Sequence, residues 1–468
     1  TAGVSADASP QALGRLDFRD VKSYMKRLQQ NTSPFALALR QQIAAGPRDL
    51  KMQRRAMQQA GMPLSIAGLK RPAVPVSQNA APLYTRLSQE LRQRPFTPRF
   101  TSLAINLNHE VAPTAEEMEF LKGEIAARDD VLRLLQQAAA KPHCVFPRNW
   151  RQLLKEEFVE GPTINIGVQA LRVRAYLKTK QGQHLQAVND MATLFKIARH
   201  VTSDPILESM HLTAFNIDRL ALLGLRDVLT VAGPDAGVSD AIQKATKEGH
   251  IHYSMRSHLK GDIVRMALNF AASRNRSPQT LFSVQHLNFP NPQRPAPASY
   301  TRLERNFVEN LIDASEASIL RQLRYLLSIA GKADPQRLDL FAAAENRIFP
   351  AMDGRANPLD IFRSEPRNTF LNVPGGLALL EANRMALATG AALLSYKARN
   401  GAFPGQLADM QLMTTNDPFS GGPLRYRKEG EGFIVFSIGP GRRFDGGQPG
   451  MKPNLAQAYF RYTPALPT

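Results

Sequence analysis

Histidine transfers protons near neutral pH and binds transition metals, and one stretch of this sequence concentrates it. "EGHIHYSMRSHLKGD" (Glu248–Asp262) carries His250, His252 and His258, with Glu248 and Asp262 at its ends. Imidazoles at i and i+2 can bind one metal from an extended segment, and His258 shares a helix face with Asp262. The HExxH zinc signature is absent, so the stretch reads first as the polar start of a helix. Its second reading is a metal-binding or general-base site. His143 beside Cys144 suggests a thiolate–imidazole pair, but adjacent side chains rarely face each other. Pro142 and Phe146 flank them, and the expectation is an inert, buried thiol. No Gly-x-Ser-x-Gly elbow, Walker A loop or dinucleotide-type glycine turn occurs. The chain thus reads as non-enzymatic more than enzymatic.

Charge is the other chemical resource. The net charge is +19, and residues 1–100 hold 16 Lys and Arg against 5 Asp and Glu. Arg15, Arg19, Lys22, Lys26, Arg27, Arg54 and Arg55 form the candidate partner-binding set. Such a patch concentrates anions and favours an acidic protein face, an anionic lipid or polymer, or nucleic acid. The aromatics of that region (Phe18, Tyr24, Phe35, Tyr84, Phe96 and Phe100) fall at helical core spacing. That argues against the stacking platform a nucleic-acid binder needs.

The elements that must carry these groups are mostly helices. At 468 residues, with 43% hydrophobic and 21% charged residues, the chain is long enough for two or three structural units. No run approaches the roughly 18 apolar residues of a membrane span. Leu16, Val21, Tyr24, Met25 and Leu28 mark one helical stripe, and "PFALALRQQIAAG" and "DLKMQRRAMQQAG" predict two further helices, each stopped by glycine. "KRPAVPVSQNAAP" is an extended connector, with a capped helix start near Asn79. Thr114 with Glu117 forms a capping box for one long helix bearing Met118, Leu121, Ile125, Leu132 and Leu135. "KPHCVFPRNW" is a loop. Residues 163–200 predict a helix, a tight turn at Gly182 and an antiparallel return, followed by a helix over 205–232. "FPNPQRPAPASY" is an excursion, and two more long helices follow, the last ending at Gly401. Beyond it, "LRYRKEG", "GFIVFSIG" and "AQAYFRYT" change to the two-residue period of strands, the first two joined as a hairpin.

The order "SYKARNGAFPGQL", "NDPFSGGPLRYR", "GFIVFSIGPGRRFDGG" resembles the soluble part of type II secretion pseudopilins of the major, G-type class. The resemblance covers about the last quarter of the chain and implies a long helix clasped by a short antiparallel sheet. Across nearly its whole length the chain also resembles a family of uncharacterised envelope proteins of planctomycete and acidobacterial type. Those proteins usually carry an N-terminal signal or membrane anchor. The start "TAGVSADASP" fits a mature chain after removal of such a segment. G-type pseudopilins hold calcium in the last loop, whereas here Arg442 and Arg443 replace ligands and only Asp445 offers a hard oxygen there. Calcium wants six to eight oxygens, so no cofactor is expected.

The expectation is therefore a mainly α protein of stacked antiparallel helix pairs with a small C-terminal α+β pseudopilin-like module. Its segments are a basic helical region (1–75), a helical body (76–350) and the terminal module (351–468). The expected role is an extracytoplasmic scaffold within a larger assembly, its basic region docking an acidic subunit or anionic envelope component. The rivals are an envelope hydrolase using the His250–His258 stretch and an anionic-polymer binder.

Overall fold

The computed structural model describes residues 20–70, 72–148, 158, 160–203, 208–249, 255–275, 301–332, 334–348, 366–410, 416–441 and 458–464. Among them the chain is mainly helical, with one three-stranded antiparallel sheet near the C-terminus.

The largest core is organised around α7 (Gly161–Lys180), α8 (His184–Thr202) and α9 (Glu208–Ala232). Leu171, Val173, Ala175 and Leu177 are all buried on successive faces of α7, because other helices surround it. Gly182 makes the expected turn into α8 with φ +75°, a conformation that glycine adopts without steric cost. The Gln183 amide reaches back to the Lys178 carbonyl at 2.9 Å and closes the end of α7. Packed against this centre are α3 (Ala81–Gln93), α4 (Pro98–Asn108), α5 (Ala115–Ala126), α6 (Asp129–Ala139) and α10 (Ala236–Glu248). The capping box at Thr114 and Glu117 opens α5. The single helix expected from there to Ala140 is broken at Ala127–Arg128. Arg128 explains the break: its guanidinium donates to the carbonyls of Arg94, Pro95 and Glu124, and Asp129 and Asp130 then supply a negative first turn to α6. Helix α4 was not anticipated, although Thr97 caps it and Pro98 begins it.

A second core joins α1 (Val21–Gln30) and α2 (Pro34–Gln59) to α11 (Met255–Asn275), α12 (Arg302–Ala330) and α13 (Gln336–Ile348). Two helices were expected between Pro34 and Gly61, and one forms. Its buried positions are Ala36, Leu39, Ile43, Gly46, Leu50, Gln53 and Met57. The alternating steps of three and four are the spacing of a coiled-coil seam, here laid along α12. Gly46 sits where the backbones approach: a Cβ there would lie 2.5 Å from the Asn310 carbonyl oxygen. The Gly-Pro pair is thus not a helix stop, because packing on α12 outweighs the hydrogen bond that Pro47 forgoes.

The chain ends in α14 (Pro366–Asn400), β1 (Arg425–Glu429), β2 (Gly432–Phe436) and β3 (Tyr459–Tyr462). The sheet order is β1-β2-β3, with Arg425 opposite Phe436 and Phe433 opposite Tyr462. Every second-strand residue from Gly432 to Val435 is buried, and the Phe460 ring of β3 lies over Gly390 of α14. Gly401 ends α14 with φ +80°. From Pro374 onward α14 is long and apolar enough to cross a membrane, with mean hydropathy 1.3 in its most apolar window. Packing against α9, α10 and the sheet accounts for that composition, since 67% of the window is buried. Leu380, Leu387 and Leu394 share the α7–α9 core, and α1–α2 share theirs with α12.

Candidate functional site

The seam on α2 dictates where its cations go. With seven positions facing α12, residues 48, 51, 52 and 55 fall on the outer side. Arg48 is 86% exposed, Lys51 and Arg55 are exposed, and Met52 stands between them at 52% exposure. On α1, Lys22, Lys26 and Arg27 are exposed, and the Arg27 guanidinium lies 5.8 Å from the Tyr24 ring centre. Arg15 and Arg19 lie outside the described residues. Arg54, of the same set, has a side chain 40% exposed that reaches across to α12. Its Nε and Nη2 donate to Glu316 Oε1 at 2.8 and 2.7 Å. Glu316 is fully buried, and its other oxygen accepts from Arg274 at 2.6 Å, which also pairs with Asp313. A buried carboxylate demands such partners, so Arg54 clamps α2 to α12 and α11. Arg48 and Lys51 were missed, although with Arg55 their spacing of three and four already marks one helix face.

A different site forms where the connector before α3 meets the loop after α6. Ala80 N donates to the His143 carbonyl at 2.8 Å, and His143 N donates to Gln78 O, making a short parallel bridge. The Asn79 carboxamide ties both walls. Its Oδ1 accepts from Ala81 N (3.2 Å) and Val145 N (2.9 Å), and its Nδ2 donates to Val145 O (3.0 Å). From α8, Ser203 Oγ donates to the Cys144 carbonyl at 2.8 Å. His200 Nε2 lies 2.8 Å from the Lys141 carbonyl, which can only accept, so Nε2 carries the proton. His200 Nδ1 is then the acceptor for the Tyr84 hydroxyl at 2.9 Å. Burial pushes the His200 pKa below its ordinary 6.5 and raises that of Tyr84, so both stay neutral at neutral pH. The connector and the loop line an open pocket of about 560 Å³. Cys144, which is in no disulfide, is buried on its lining.

His250 and His252, and the side chain of His258 on α11, lie outside the described residues, as do Arg442, Arg443 and Asp445. Among the described residues no group of three His, Cys, Asp or Glu side chains is arranged to hold a metal ion. Asp417, in the turn before β1, is buried and its carboxylate is used locally. Its Oδ1 accepts from Phe419 N at 3.1 Å and Ser437 Oγ at 2.8 Å. On α9, burial pushes the Asp218 pKa well above the carboxylate range, partly offset by Arg199. No protein-family model, curated protein or solved structure matches this chain.

Proposed function

We propose that this chain is a non-catalytic, extracytoplasmic helical scaffold whose outer α1–α2 surface docks an acidic face of another protein subunit. The observation that carries the reading is the outer side of α2, where Arg48, Lys51 and Arg55 surround the exposed Met52. Arginine and methionine are enriched in the buried centres of protein interfaces, whereas a polymer-binding track needs charge alone. The pairing of Arg54 with Glu316 supports the same reading, since it fixes α2 on α12 and holds the outer cations on a rigid rod. The terminal unit would be a pseudopilin-like module. What supports this is the succession of a long helix ended at Gly401, an Asp417-Pro418 turn and a three-stranded meander packed on that helix. Kinship with such modules also suggests the location outside the cytosol.

The test is isolation of the native protein with its bound subunits, followed by charge reversal at Arg48→Glu, Lys51→Glu and Arg55→Glu. The expected outcome is loss of the associated acidic subunit with the melting temperature unchanged. Retention of all partners by the triple variant would overturn the docking surface. Binding that collapses with salt along a steep linear log–log slope would instead identify an anionic polymer. Fractionation of cells bearing the native gene would test the location, and a cytosolic pool alone would refute it.

A further inference from the structure

The docking face on α2 continues onto α12. The two helices run parallel: Ala36, Leu39 and Ile43 share one apolar cluster with Leu311 and Ala314. Further along, Leu50 and Met57 share another with Leu320 and Leu323. A parallel pair has two flanks beside its seam, and an ion pair marks each of them here. On one flank Arg54 meets Glu316, which also holds Arg274 of α11. On the other, Asp49 pairs with Arg321 at 3.6 Å, and the Arg321 side chain is 52% exposed. One turn beyond that pair, Met52 of α2 and Arg324 of α12 are both exposed. Because the helices share a direction, these two residues stand on the same flank at neighbouring levels.

That flank is a groove with cations on both banks. Ala45 and Met52 follow each other at a seven-residue step along the α2 bank, with Arg48 and Arg55 just outside them. Arg321 and Arg324 form the α12 bank. Asp49 is the carboxylate that the structure pairs with them, 3.9 Å from Arg48 and 3.6 Å from Arg321. One carboxylate among four guanidinium groups leaves the groove positive along its length. A flexible anionic polymer needs only the charge, whereas an apolar line repeating every seven residues fits the period of a helix. Met52 supplies an adaptable apolar anchor between the cations.

We propose that the acidic partner presents an amphipathic helix, which lies in this groove as a third strand beside α2 and α12. Its apolar residues meet Ala45 and Met52, and its carboxylates meet Arg48 and Arg55 on one side and Arg321 and Arg324 on the other. This rests on the docking reading and adds the shape of what docks and the share that α12 takes in it.

Fluorescence anisotropy on the full chain would use three labelled peptides of three heptads each. One has leucine at a and d and glutamate at e and g, one is the same composition scrambled, and one carries lysine in place of glutamate. The expected result is saturable binding of the glutamate helix, with the scrambled and lysine peptides at least about tenfold weaker. Arg321→Gln combined with Arg324→Glu should weaken the glutamate helix about tenfold, at an unchanged melting temperature. Should that double variant lower the melting temperature, Met52→Glu, at an exposed position, decides in its place by the same loss. Equal binding of the scrambled peptide overturns the proposal, because the face then reads charge without shape. An unchanged double variant, or no binding of the glutamate helix below about 1 mM, overturns it as well. Each of these results leaves the docking reading standing if the native acidic subunit is still lost from the Arg48, Lys51 and Arg55 triple variant. Retention of that subunit by the triple variant is the separate result that removes the docking reading itself.

Discussion

Single residues in this protein matter most where a polar group has been taken out of water. Asp190 is fully buried between α6, α7 and α8 and accepts from Arg174, Lys178 and Gln136. Glu316 plays the same part between α2, α11 and α12. His200 is the case with a pH signature. In the unfolded chain it takes up a proton near pH 6.5, whereas in the fold it does so only at lower pH, because burial disfavours the charged ring. Between those values the unfolded state binds more protons, so stability is present above 6.5 and falls as pH drops through the window. The slope contributed by this one group approaches about 1.4 kcal/mol per pH unit at its steepest. Urea midpoints for the wild type and His200→Gln between pH 7.5 and 5.5 would check it. The wild type should lose more stability than the variant over that interval, and parallel curves would refute the assignment. Histidine density in the sequence pointed elsewhere, to His250–His258. Nothing local distinguishes His200, whose partners Tyr84 and Lys141 are 116 and 59 residues away.

Helices show where sequence patterns suffice and where they fail. The capping box at Thr114, the Gly182 turn and the β1–β2 hairpin were legible, because each is decided by contacts within a few residues. The continuity of α2 was not. Gly46-Pro47 carries a local stop signal, and only the backbone of α12, near Asn310 and Ala314, explains why the helix continues. Gly46→Ala would test this account. On propensity alone alanine should stabilise the helix by about 1 kcal/mol. With its Cβ forced to within 2.5 Å of the Asn310 oxygen and 2.9 Å of the Ala314 nitrogen, the expected outcome is a net loss of about 1–3 kcal/mol. Thermal denaturation would decide, and a raised melting temperature would show that the seam is looser than described. Asn79 was half legible in the same way: its place before α3 suggested a cap, but its tie to Val145 needed the fold.

For the molecule as a whole, α1 and α2 are structural partners of α11, α12 and α13, which lie more than 190 residues further along the chain. The sequence suggested a separate basic region, because charge density is a local property while α12 is the surface that α1 and α2 cover. Removing residues 1–59 should therefore expose the apolar positions of α12 that face Leu39, Ile43, Leu50 and Met57. At about 1.5 kcal/mol or more for each such side chain, the loss is on the order of 6 kcal/mol, enough to unfold the second core. The truncated chain should bind a hydrophobic dye and self-associate, whereas a detachable arm would leave the melting temperature unchanged. The clamp from Arg54 to Glu316 spans 262 positions. At a synthesis rate of about 5–20 residues per second, that distance corresponds to roughly 13–52 s between the emergence of one half and the other. Throughout that delay the nascent chain carries a greasy stripe with nothing yet made to lie against. Until α12 emerges, that stripe is open to any other apolar surface it meets.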